Sequence, residues 1–362
     1  MPVRTQAGTL RALAAALRGE ALPDDWTPLL ALANQHLLTP ALWTVLDASP
    51  LRSAVPPEVA QYLQVLHRLN GERNHVIRAQ AVELAKALNE AAIEPVLLKG
   101  ASSLFVGPYP DIGARMMRDI DILVPTSARD EAIAVLSRQG YVLERGYGED
   151  HHAFGDFARS GSPAAVDLHI ELVDPRHLLR AGETFKRATP HEAAGARFFV
   201  LSPTDRVLHN FLHAQIHHLG HYYRGEMPVS QLYEFSLLAR SSGRSIDWDF
   251  IEARLEDHRL STALRAYVLA ATSLFGPSWP LSKRPGLRSR LHRLRCDAQA
   301  ASPLLDWVGV TWGNLSGPLA WHRMRALHGT SGNAFGWRCR HLAQFLGKKG
   351  ARAGFARLRR LA

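Results

Sequence analysis

Asp119 and Asp121 lie two residues apart in the segment Asp119-Ile120-Asp121-Ile122-Leu123-Val124. In a strand, alternate residues share a face. The two carboxylates then point the same way, roughly 7 Å apart along the strand, while Ile120 and Ile122 anchor the opposite face in a core. Paired carboxylates on a rigid element suit hard, oxygen-loving cations such as Mg²⁺. About twenty residues upstream, the apolar run Val96-Leu97-Leu98 breaks at Lys99-Gly100 into a short amphipathic stretch, Ala101 to Val106. A strand, a glycine turn and a short helix leave backbone N–H groups where a phosphate could sit.

Leu97-Leu98-Lys99-Gly100-Ala101-Ser102-Ser103-Leu104-Phe105, then Arg115, then Asp119-Ile120-Asp121-Ile122-Leu123-Val124-Pro125 together carry a resemblance. The combination resembles the nucleotidyltransferase fold of the DNA polymerase β superfamily. It is most similar to the bacterial family of uncharacterised nucleotidyltransferases that has Leu-Lys-Gly in place of the superfamily's Gly-Ser signature. The likeness spans roughly residues 60–270. It implies a third acidic residue on a later strand, and Ala165-Val166-Asp167-Leu168-His169-Ile170-Glu171-Leu172 offers one. There Val166, Leu168, Ile170 and Leu172 form an apolar face, and Asp167, His169 and Glu171 alternate onto the other. Periodicity alone fits an exposed polar face of an antiparallel strand equally well; the family's Asp-Leu-His pattern singles out Asp167.

What the resemblance implies is a definite chemistry. An acceptor oxygen attacks the α-phosphorus of an NTP such as ATP, in line with departing pyrophosphate, and two Mg²⁺ ions about 3.5–4 Å apart stabilise the entering and leaving oxygens. Asp119, Asp121 and Asp167 would be the catalytic and metal-binding carboxylates, Asp167 also helping to deprotonate the acceptor. Lys99, Gly100, Ser102, Ser103 and Arg115 would be the nucleotide-binding residues. Gly100 allows close backbone approach and Lys99 supplies a point charge. Because Lys-Gly replaces Gly-Ser, Lys99 could instead be structural or face the acceptor. The two serines could cap the helix, and Arg115 could pair with a carboxylate. Arg118 reads as a solvated neighbour.

These residues need elements to hold them. The chain has 362 residues, 46% hydrophobic and 21% charged, ordinary for a soluble chain with a real core and long enough for two or three domains. The fold class expected is α+β: a polymerase β-like core with a small mixed sheet, flanked by N- and C-terminal helical domains. Residues 1–92 read as helical, with Leu10, Leu13, Ala14 and Leu17 at helical spacing. Pro56 and Pro57 open a long helix, Glu58 to Ala92, with Val59, Tyr62, Leu63 and Leu66 among its apolar positions. It packs beside the catalytic sheet or helps to grip the acceptor.

Residues 93–201 form the nucleotidyltransferase core. Strands are expected at Pro95–Leu98, Ile120–Val124, Tyr141–Leu143, His152–Phe157, Ala165–Val173 and Arg197–Leu201. A helix over Ser127–Gln139 has Ser127 as N-cap and Gly140 as terminator, and Asp174–Gly195 reads as a helix-bearing excursion or loop. Residues 202–282 are a helical domain opened by Ser202-Pro203. Residues 283–362 are a basic helical region beyond Pro277, Pro280 and Pro285. His209, His213, His217 and His221 recur every four residues, along one side of a helix. That spacing suits either a packed or site-lining helix or a zinc chelate.

The net charge of +10 is uneven: +14 from Lys283 onward and −4 before it. The basic region reads as a solvated helical cover, as a surface for an anionic partner such as RNA or an acidic peptide, or as a membrane-surface attachment through Phe335, Trp337, Phe345 and Phe355. No apolar run is long enough for a transmembrane segment to be expected, and no secretory signal is expected at the start. Cys296 and Cys339, far apart among basic residues, suggest a reduced cytoplasmic setting without a disulfide or zinc framework.

The function expected is Mg²⁺-dependent transfer of a nucleoside monophosphate to a hydroxyl of a small molecule, peptide or protein. The family resemblance adds tailoring of a natural product or polysaccharide. The alternatives are a non-catalytic binding protein that kept the fold and uses its basic C-terminal surface, and a kinase that moves the γ-phosphoryl group.

Overall fold

A computed structural model describes residues 6–147, 151–174, 177–217, 220–276 and 279–316. Its strands are β1 (Val96–Leu97), β2 (Asp119–Leu123), β3 (Val142–Gly146), β4 (Ala153–Ala158), β5 (Ala165–His169), β6 (Thr189–Ala193) and β7 (Ala196–Val200). They form one mixed sheet in the order β3-β4-β5-β2-β1-β7-β6. The pairing that matters most is parallel: β2 runs beside β5 with Asp121 opposite Asp167 and Leu123 opposite His169. β1 pairs antiparallel with β2 and parallel with β7, so the strand that feeds the Lys99 turn lies next to the strand bearing the Asp pair.

The helices are α1 (Gln6–Leu17), α2 (Trp26–Gln35), α3 (Thr39–Asp47), α4 (Pro57–Glu90), α5 (Lys99–Ser103), α6 (Arg129–Arg138), α7 (Ala181–Arg187), α8 (Pro203–Gln215), α9 (His221–Arg224), α10 (Val229–Ser241), α11 (Trp248–Asp257), α12 (Ser261–Phe275), α13 (Leu287–Ala301) and α14 (Pro303–Ser316). One apolar cluster joins α4 and α6 to a face of the sheet through Ile77, Leu84, Leu88, Ile120, Ile122, Val166 and Leu168. A second joins α1–α3 and the start of α4 to α8, α10 and α12 through residues such as Leu13, Leu42, Leu63, Phe211, Phe235 and Phe275. The helices before and after the sheet therefore share one core.

Local signals set most boundaries. Pro57 starts α4, and the Ser202 hydroxyl accepts the Asp205 N–H at the start of α8. Gly140 ends α6 with φ +81°, a conformation glycine adopts without steric cost. Four expectations need correction. Ser127 does not cap α6: it lies in a 3₁₀ turn, Thr126–Ala128, and Ala128 precedes the helix without a side-chain cap. The stretch Asp174–Gly195 carries β6 as well as a helix; its Pro190 is tolerated because β6 is a sheet edge. Tyr62 of α4 is exposed, its hydroxyl accepting from Asn34 Nδ2 at 2.9 Å. The four-histidine row does not lie on one helix: α8 ends at Gln215, His217 follows it, and His221 opens α9.

Candidate active site

The sheet brings three parts of the site together. Asp121 and Asp167 are neighbours across the parallel pair β2/β5. At the end of β1 the chain turns through Lys99, whose φ of 43° is left-handed for a non-glycine residue and stores strain of about 1–3 kcal/mol. That turn sends the Lys99 Nζ to within 2.5 Å of Asp121 Oδ1. The hydroxyls of Ser102 and Ser103 both donate to the Lys99 carbonyl, at 2.9 and 3.2 Å, so they fasten the turn from below. Gly100 is needed for space: a Cβ there would lie 2.4 Å from Arg115 Nη1 and 3.0 Å from the Met117 Cβ. Arg115 thus lies over the Lys99–Gly100 turn, and its guanidinium donates to Glu234 of α10 at 3.0 and 3.2 Å.

The fourth member is His169, two residues beyond Asp167. It is fully buried, and its Nε2 lies 3.0 Å from Asp121 Oδ1 and 3.0 Å from Asp167 Oδ2. Its Nδ1 faces the Glu171 carbonyl at 3.3 Å. Both ring nitrogens meet acceptors only, so both carry protons. Burial and the Lys99 charge pull the His169 pKa down, but its hydrogen bonds to Asp121 and Asp167 outweigh them and lift it to about 9. Burial would raise the Asp121 carboxyl; Lys99 and His169 instead hold it well below its usual range. Asp167 is likewise held low, against burial, by His169. Lys99 stays protonated beside Asp121 despite its own desolvation.

Asp119 sits at the rim. It is the exposed first residue of β2, outside the tight group of Asp121, Asp167 and His169, whose ligand atoms lie within 4.8 Å of one another. Protein atoms crowding its carboxyl, and the nearby Asp121 charge, push its pKa up to about 6. The donor set suits a divalent cation. Two carboxylates offer hard oxygens, and Asp167 Oδ1 is buried with no hydrogen-bond partner among the described residues, an acceptor that a metal ion would satisfy.

Beside this group a cavity of about 170 Å³ opens between α5, the loop carrying Arg115, α8 and α10. Lys99, Arg115 and Arg206 give it a basic wall, with Glu234, His209 and Gln231 among its other lining residues. Burial pushes the His209 pKa down to about 3, and its Nε2 faces the Leu172 carbonyl at 3.3 Å, so it lines the cavity as a neutral imidazole.

The family model described as uncharacterised nucleotidyltransferase matches residues 23–276. The chain belongs to that family. It is accordingly a transferase with a nucleotidyl-transfer role. Among solved structures it is similar to the antibiotic-resistance factor ANT(2'')-Ia, at 15% identity and a TM-score of 0.35, over 52% of this chain and 94% of that one. An antigenic nucleotidyltransferase-like protein from Paracoccidioides brasiliensis is similar at 15% identity and a TM-score of 0.33, over 52% of this chain and 91% of that one. No curated protein sequence matches it.

Within this nucleotidyltransferase, sequence reasoning passed over His169 and Glu234 as partners, and also the polar face of α4. Asn70 Nδ2 donates to the carbonyls of Gly113 (2.6 Å) and Arg115 (3.0 Å). Asn74 Nδ2 donates to those of Ile112 (2.7 Å) and Arg115 (2.8 Å). Arg73 donates to the carbonyls of Met117 and Pro163, and Gln80 donates to that of Ala164 at 2.8 Å. The helix therefore holds the approaches to both acid-bearing strands. The one signal for this was polar residues at helical spacing on the face that carries Ile77 and Leu84. Glu171, which alternates with Asp167 and His169 in sequence, leaves the site: its Oε2 accepts the Ala181 N–H at 3.0 Å.

Proposed function

We propose that this protein transfers a nucleoside monophosphate from an NTP, such as ATP, to a hydroxyl of a small-molecule, peptide or protein acceptor, using Mg²⁺ held by Asp119, Asp121 and Asp167. The observation that carries this reading is the register of β2 and β5. It sets Asp121 beside Asp167, with a buried, unpartnered carboxylate oxygen on Asp167 and the Lys99–Gly100 turn against Asp121. When bound, two Mg²⁺ ions neutralise the triphosphate and stabilise the oxygens that enter and leave phosphorus.

The chain's own residues do the rest by placement and charge. The basic wall of Lys99, Arg115 and Arg206 supports an anionic substrate, and the Gly100 backbone and Ser102 and Ser103 shape its phosphate side. Glu234 holds Arg115 in line. Asp167 accepts the acceptor's hydroxyl proton. A new bond forms from that oxygen to the α-phosphorus, the bridge to the β-phosphate breaks, and pyrophosphate leaves with the electron pair. A cytoplasmic setting accords with Cys296, a buried free thiol whose pKa burial pushes up to about 12, and with the absence, among the described residues, of a helix long and apolar enough to cross a membrane.

The test incubates the protein with α- and γ-labelled NTPs, Mg²⁺, and hydroxyl-bearing small molecules, peptides and saccharides. Acceptor labelling from the α position, with pyrophosphate release, is expected. It should fall to background in Asp121→Asn and Asp167→Asn while circular dichroism stays unchanged. Label from the γ position alone would make the protein a kinase. Label from neither position, with nucleotide still bound, would make it a binding protein; turnover unchanged in either variant would remove the site.

A further inference from the structure

A second cluster of metal-binding side chains stands next to the carboxylate centre and shares no residue with it. His151 and His152 lead into β4, Asp174 follows β5, and His217 follows α8. One donor atom from each of His151, His152 and Asp174 lies within 4.8 Å of the others. His152 Nδ1 is 2.9 Å from Asp174 Oδ1, and the His151 and His152 rings lie with centroids 4.2 Å apart, their planes tilted by 38°. His217 Nδ1 sits 3.1 Å from the other carboxylate oxygen, Oδ2. Helical spacing alone would have grouped His217 with His213 and His221; the fold instead hands it to Asp174.

We propose that His151, His152 and Asp174 bind one Zn²⁺-type ion, with His217 positioning the Asp174 carboxylate. Two imidazoles and a carboxylate suit a borderline cation, whereas Mg²⁺ favours oxygen ligands alone. The His152–Asp174 spacing is close to what such an ion requires. Metal–ligand bonds of about 2.0–2.1 Å in a tetrahedron place neighbouring donor atoms about 3.3 Å apart, so the His152–Asp174 pair needs to open by only a few tenths of an ångström. His152 is 2% exposed, while the Asp174 side chain is 35% exposed; the ion would enter from the Asp174 side and find a rigid imidazole behind it. Three protein ligands leave one position for water or a substrate atom. The ion would tie β4 to the segment after β5. The His152 ring lies 5.0 Å from the His169 ring, so it would also brace the wall behind the histidine that holds Asp121 and Asp167. This site rests on its own residues and stands or falls apart from nucleotidyl transfer.

Co²⁺, which shows visible d–d absorption in a tetrahedral nitrogen–oxygen site, is the probe. The full chain is titrated with Co²⁺ in excess Mg²⁺ and then back-titrated with Zn²⁺. One equivalent of a visible band, displaced by Zn²⁺, is expected. His152→Gln and Asp174→Asn should lose it, His217→Gln should keep it with affinity weakened about 10–100-fold, and Asp167→Asn should leave it unchanged. Zinc-edge X-ray absorption of the loaded wild type reads imidazole scattering directly, whether or not the variants fold. Absence of a band overturns the proposal. So does a band that survives in His152→Gln and Asp174→Asn but is lost in Asp167→Asn, or a zinc shell without imidazoles.

Discussion

One nitrogen, His169 Nε2, sits 3.0 Å from each of two carboxylates. That contact makes the histidine a source of stability with a definite pH window. Its pKa rises from 6.5 to about 9 in the folded chain, so the folded state binds its proton more tightly than the unfolded one. The resulting stabilisation, about 3 kcal/mol, is complete below pH 6.5 and is lost as pH rises through 9. Urea unfolding of wild type and His169→Gln at pH 6 and pH 9.5 checks this. The gap between the two should be wide at pH 6 and narrow at pH 9.5; an equal gap at both would show a neutral imidazole. Lys99 makes the complementary point, since its strained φ of 43° is kept where it lets the ammonium reach Asp121.

At the scale of elements, α4 is the scaffold of the site. Its buried Asn70 and Asn74 are its clamps on the loop that carries Arg115 into β2, and Arg73 and Gln80 hold the entry to β5. Asn74→Ala strands the Ile112 and Arg115 carbonyls away from this donor, at a cost of about 1–3 kcal/mol, and frees the loop. Chemical denaturation should show that loss. Nucleotide affinity, read by fluorescence or calorimetry, should weaken with it, although Asn74 lines neither the carboxylate group nor the cavity. If stability fell and affinity held, α4 would be a packing element only.

Across the whole molecule, the helices before and after the sheet act as one body. Leu13 and Leu42 on one side and Phe211 and Phe275 on the other belong to the same buried cluster. Phe211→Ala should therefore cost about 3–5 kcal/mol and shift a single cooperative transition rather than one of two. Separate thermal transitions in calorimetry would mean that the flanking helices melt independently. The basic region is described as far as Ser316, where α13 and α14 pack on α12, α9 and one another. The end from Phe335 to Leu361, with Phe335, Trp337, Phe345 and Phe355, lies outside the described residues.

Much of this was legible in the chain itself. Alternation in Asp119–Val124 and in Ala165–His169, the proline before α4 and the Ser202 cap are local signals, and local hydrogen bonds and side-chain periodicity follow from them directly, although β5 stops at His169 short of the expected Val173. The sequence alone therefore determined the alternation of helix and strand, the acidic pair on β2 and the turn at Lys99–Gly100. Other features depend on which segments become neighbours, which no local pattern encodes. Only the tertiary structure decided that Asp167 faces Asp121 rather than solvent, that His169 is the charged bridge between them, that Glu234 takes Arg115, and that His217 leaves its helical row for Asp174. The reason is physical: a side chain's charge, burial and partner are set by what the distant chain brings against it, and here the parallel pairing of β2 with β5 and the packing of α4, α8 and α10 around that pair bring it.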